Sequence, residues 1–121
     1  MTLLVSIYWR DRETGRMESL TDWNDGHHMA GPEAARESVW GSEIVRRQGA
    51  TFLPQLASSN LWVAPDELDA FEEEVRHLLA NVDELRRELG RGPECLLPHY
   101  LGNFIRAADA ARARGGGVSI D

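Results

Sequence analysis

Apolar side chains alternate along the opening segment, with Leu3, Val5, Ile7 and Trp9 separated by Leu4, Ser6 and Tyr8. A period of two predicts a strand with one well-buried face and one partly covered. The polar stretch Asp11 to Gly15 interrupts it and Met17 to Leu20 returns, so the two form a hairpin. Thr21 to Gly31, rich in Asp, Asn, Gly and His, reads as a loop. It exceeds the usual connection of about four to six residues. Pro32 suits the first position of a helix reaching about Gln48, which should break or kink at Gly41, between Trp40 and Ser42. Thr51 to Leu53 and Leu61 to Val63 read as two short strands around Pro54 to Asn60.

From Pro65 the period changes. Leu68, Phe71, Val75, Leu78, Val82, Leu85 and Leu89 recur at threes and fours, which places them in one stripe of a long helix that Gly90, Gly92 and Pro93 stop. A last helix runs from about Pro98 to Arg114 through Leu101, Phe104, Ile105, Ala108 and Ala111. Gly115 to Gly117 end it, and Val118 and Ile120 alternate as a closing strand. The helical stripe needs a facing layer, and the first half, which holds all four tryptophans (Trp9, Trp23, Trp40, Trp62), is the material for it. The expected fold is a single α+β domain over residues 1–121. Its small, mainly antiparallel sheet packs against two long C-terminal helices and one shorter helix.

Composition narrows the function classes. Cys95 is the only cysteine, which excludes an internal disulfide, and the opening residues lack the pattern of a signal peptide, so a reducing cytoplasm is the expected setting. No apolar run approaches the ~20 residues that span a bilayer. All thirteen basic residues are arginine, which coding bias explains and which excludes a lysine nucleophile, a Schiff base or a phosphate-loop lysine. Net charge is −7: eight acids and six arginines up to Val63 give −2, and twelve acids with seven arginines from Ala64 onward give −5. Nucleic acid is a poor partner for that sign, whereas a cationic protein fits it.

Six acids fill nine positions at the start of the long helix: Asp66, Glu67, Asp69, Glu72, Glu73 and Glu74. Acids favour a helix N-terminus, but Glu72 to Glu74 lie beyond the first turn, so the run is either a solvated outer face or a docking surface for a basic protein. Trp23, between Asp22 and Asn24, is either a lid on the core or an exposed interface anchor. A second candidate is a ligand site in the long loop, from Asp22, Asp25, His27 and His28. Adjacent histidines in a Gly-containing loop diverge, so no metal site is expected there, and no cofactor motif is present. Cys95 and His99 lie about one turn apart, but Pro98 disturbs the geometry between them, and no catalytic residue is assigned. Gly115 to Gly117 have no following helix N-terminus to cradle a phosphate; helix termination explains them.

Ser6-Ile7-Tyr8-Trp9, Trp40-Gly41-Ser42 with Ile44, Phe52-Leu53-Pro54 followed by Asn60, the acidic helix and Gly116-Gly117-Val118-Ser119-Ile120 together give a layout that resembles small bacterial immunity proteins of polymorphic toxin and contact-dependent inhibition systems. The resemblance implies a compact, cytoplasmic, non-enzymatic binding protein that neutralises a basic toxin through an acidic surface. It carries over no functional residue, since that group shares no motif for one. Two other readings stay open: a small enzyme or ligand-binding protein using the loop from Asp22 to His28, and a homo-oligomeric interaction protein.

Overall fold

The computed structural model describes residues 2–21, 28–92 and 95–121. Five strands form one antiparallel sheet: β1 (Thr2–Arg10), β2 (Met17–Leu20), β3 (Met29–Pro32), β4 (Leu61–Val63) and β5 (Gly117–Ile120). The order is β2-β1-β5-β4, and β3 pairs the first half of β1 while β2 pairs its second half. The remaining elements are α1 (Glu43–Arg47), α2 (Leu68–Ala80), α3 (Val82–Glu88) and α4 (Leu97–Ala113), with a π turn at Arg36–Trp40 and 3-10 turns at Leu53–Ala57 and Pro65–Glu67. The α+β class, the hairpin and the closing strand are as the alternation predicts.

Cross-strand register sorts the sheet into two faces. Val5, Ile120 and Leu61 form one row, and Ile7, Val118 and Val63 the next, all buried beneath the helices. Against them α4 brings Leu101, Phe104, Ala108 and Ala111, and α2 brings Leu68, Phe71, Val75 and Leu78. The alanines of α4 let it lie close on the sheet and on α2, which packs along it. Trp40, 1 % exposed, closes the core from the π turn, edge-on to Phe104 and donating its indole N–H to the Ala30 carbonyl at 2.9 Å.

Three expectations need correction. Pro32 does not open a helix: it ends β3, paired with Thr2, so the expected loop from Thr21 to Gly31 gives way to strand from Met29. Gly31 allows this through a left-handed φ of 106° against the Tyr100 ring. Thr51 to Leu53 form no strand, because their backbone N–H groups converge on the Glu74 carboxylate and lead into the 3-10 turn. The long helix is two, since Asn81 turns its side chain back to the His77 carbonyl and interrupts the ladder between α2 and α3. The break expected at Gly41 is present. Its N–H closes the π turn on the Arg36 carbonyl, and a methyl group there would come within 2.5 Å of Ala57 Cβ.

Candidate functional site

The outward face of the sheet carries the most conspicuous exposed side chain. Leu61 and Val63 point into the core, so Trp62 between them must point out, and it is 61 % exposed. On the same face Trp62 lies across from Ser119, and Ser119 from Ser6. Tyr8, two residues from Ser6, crosses β5 over Gly117 and donates its hydroxyl proton to the Val63 carbonyl at 2.9 Å. Its ring meets Trp62 edge to face, with centroids 5.3 Å apart at 63°. Only glycine permits this seat, since a Cβ at Gly117 would fall 2.5 Å from the Tyr8 hydroxyl.

The three glycines before β5 therefore do more than terminate α4. Gly115, with φ 67°, turns the chain, and the Gly116 N–H returns to the Ala111 carbonyl. Gly116 then passes so close to the Tyr8 carbonyl that a side chain would collide with it, and Gly117 seats the tyrosine ring. Arg36 steadies the approach to β4 from the other side. Its guanidinium donates to the Leu56 and Ser59 carbonyls and to Asn60 Oδ1, and pairs with Glu33. Asn60 is thus a fixed turn acceptor two residues before Trp62.

The members of the acidic run differ in their partners. Glu67 accepts the Ala64 N–H at 3.0 Å and closes the 3-10 turn that begins α2. Asp69 and Glu72 are both bound by Arg112 of α4, at 2.9 and 2.7 Å, and Glu72 also accepts from Arg76. Those hydrogen bonds, Arg112 first and Arg76 second, hold the Glu72 carboxyl below the usual carboxylate range, while Glu72 in turn raises Arg112. Glu74 gathers the N–H groups of Thr51, Phe52 and Leu53. Glu73 is exposed beside a shallow cleft shared with Gln48, Gly49 and His77, and Asp66 is exposed at the start of the 3-10 turn. The six acids are therefore unequally engaged: Glu67, Glu72 and Glu74 hold backbone N–H groups or arginines, while Asp66, Asp69 and Glu73 remain exposed. Asp66 and Glu67 are the two whose charge reaches the outward face: burial first, then Glu67 and Asp66, push the Tyr8 hydroxyl above its ordinary pKa.

Of the loop candidates, Asp22, Trp23, Asp25 and His27 lie outside the described residues. His28 is half-buried on the sheet edge, where its carbonyl accepts the Val5 N–H at 2.7 Å. Among the described residues no group of three or more His, Cys, Asp or Glu side chains could hold a metal ion, and no helix is long and apolar enough to cross a membrane. Cys95 is half-buried beside the start of α4, and His99 sits within the first turn of α4 with its ring 6.0 Å from that of Tyr100. Sequence reasoning missed Tyr8 and Trp62 as a pair. The parity of Leu61-Trp62-Val63 was the available signal, because a strand that buries two branched residues must expose the one between them.

No protein-family model, curated protein or solved structure matches this chain.

Proposed function

We propose that the protein is a non-enzymatic binding protein that recognises a basic protein partner through the Tyr8–Trp62 face, with Asp66 and Glu67 as its charged rim. The observation that carries this reading is the 61 % exposure of Trp62 on a side chain already oriented by Tyr8. Tryptophan and tyrosine held in place contribute contact area at small entropic cost, which is why they dominate interface hot spots. The acids beside them favour a cationic partner and speed its encounter. An immunity-type inhibitor of a basic toxin, acting in the cytoplasm, is the biological setting that the resemblance of the chain's layout suggests. In this reading the acids of α2 steer less than their density implies, because Glu72 and Glu74 serve the fold.

The test uses basic proteins encoded beside this chain, screened by co-expression for rescue of growth and by affinity measurement. Trp62→Ala should weaken binding by ≥ 2 kcal/mol, roughly 30-fold, while Asp66→Arg should slow association and flatten its salt dependence. A partner that binds Trp62→Ala as tightly as the native chain removes this face from the account. Sedimentation of the isolated chain separates partner binding from self-association, for which Trp62→Ala would dissociate an oligomer.

A further inference from the structure

A half-open cavity of about 230 Å³ lies between the π turn and the start of α4. It is separate from the Tyr8–Trp62 face. Its walls are apolar: Ala35, Val39 and the Trp40 indole on one side, Leu89 and Leu97 on the other. Ser38, Arg91, Cys95 and Tyr100 also line it; the Ser38 hydroxyl is spent on the Ala34 carbonyl, whereas among the described residues the side chains of Arg91 and Tyr100 have no ion-pair or hydrogen-bond partner. Arg91 is exposed and so stands at the mouth, with its backbone anchored by a 2.7 Å bond from its N–H to the Arg86 carbonyl. The π turn in the wall is closed by the Gly41 N–H on the Arg36 carbonyl, and such turns recur at functional sites.

We propose that this cavity binds a small apolar monocarboxylate, its chain against Trp40, Leu89 and Leu97 and its carboxylate at Arg91. Ligand sites combine apolar walls with a few polar groups that fix orientation, and here the polar side chains left without a partner are a permanent cation and a phenolic donor. An anion is the complement of both. At about 30 Å³ for each water-sized unit, the space takes roughly eight non-hydrogen atoms. A seven-carbon tail fills it and leaves the carboxylate at the mouth, where arginine can bind it with two parallel hydrogen bonds.

Octanoate is the probe, with octylamine and octan-1-ol as controls of the same tail, titrated by calorimetry into the full chain. Octanoate should bind saturably at one site, at least about tenfold more tightly than either control. Arg91→Glu should remove that preference, because Arg91 is exposed and its loss leaves the core intact. Ala35→Leu, which fills the wall, should abolish binding of all three probes in a protein that still melts cooperatively; if that variant fails to fold, Arg91→Glu decides alone. The proposal falls if no saturable binding is seen up to about 5 mM, or if octanoate and octylamine bind alike. It falls also if Arg91→Glu leaves octanoate affinity unchanged. None of these outcomes bears on partner binding through Trp62.

Discussion

Two aromatic clusters lie on opposite sides of one sheet and each contains a tryptophan, yet they differ in exposure. On the inner side Trp40, Phe104, Phe71 and Phe52 follow one another in T-shaped, tilted and T-shaped contacts, with centroids 5.1, 6.1 and 5.8 Å apart, and Trp40 satisfies its indole N–H within the fold. On the outer side Tyr8 and Trp62 meet in a similar edge-to-face geometry, but among the described residues only the tyrosine side chain makes an internal hydrogen bond. The inner cluster buries Trp40, Phe104 and Phe71 fully and leaves only Phe52 half-buried; the outer pair keeps most of the Trp62 surface in water. Aromatic geometry alone thus does not mark a core. What separates the two is strand parity and whether a helix covers the face.

The widest gap between the clusters should appear in stability. Trp40→Ala deletes a fully buried side chain and strands the Ala30 carbonyl, and should cost about 3–5 kcal/mol in urea unfolding. Trp62→Ala removes a mostly hydrated ring and should cost under about 1 kcal/mol. Equal losses would show that the outer pair is part of the core in energetic terms and would erase the distinction.

The same contrast holds between neighbouring acids, with a smaller expected effect. Glu74→Ala leaves the N–H groups of Thr51, Phe52 and Leu53 without their shared acceptor and frees the 3-10 turn that precedes β4, at a cost of about 1–3 kcal/mol. Glu73→Ala, one residue earlier and exposed, should lie within about 0.5 kcal/mol of the native chain. Thermal melts of the two variants read this directly. If Glu73 proves the costlier, the division of the acidic run into structural and solvated members is wrong.

Much of the fold was legible because its signals are local. The stripe from Leu68 to Leu89 buries Leu68, Phe71, Val75, Leu78 and Leu85, with Val82 and Leu89 half-buried, and the alternation in β1 and β5 gave both strands. Where a residue's fate depends on a partner distant in sequence, reading the chain failed. Thr51 to Leu53 look extended until Glu74, more than twenty residues away, gathers their N–H groups. Met29 to Pro32 resemble a loop and a helix start, because the register with Thr2 to Leu4 that makes them strand is invisible locally. The pairing of Asp69 and Glu72 was hidden for a related reason: the arginine that binds them comes from α4, some forty residues on. Trp62 was different, since its outward parity could be read from Leu61 and Val63 alone.

The smallest effect tests the acid that belongs to neither extreme. Glu72 is held by Arg112 and Arg76 with its side chain 16 % exposed, and its pKa in the folded chain lies below the ordinary 4.5. A carboxyl with a depressed pKa binds protons less readily when folded than when unfolded, so its stabilisation is complete above about pH 4.5 and fades as pH falls through the folded value. Arg112 is about one-third exposed, so solvent screening keeps the contribution under about 1 kcal/mol. Arg112→Gln removes the cationic hydrogen bond that lowers the Glu72 pKa most while keeping a hydrogen-bonding side chain. Urea midpoints measured from pH 6 down to about pH 3 should then fall less steeply than in the native chain, with the two curves converging at the acid end. Parallel curves would mean that the bridge from α2 to α4 adds nothing ionic to the fold, and Glu72 would join Glu73 among the solvated acids.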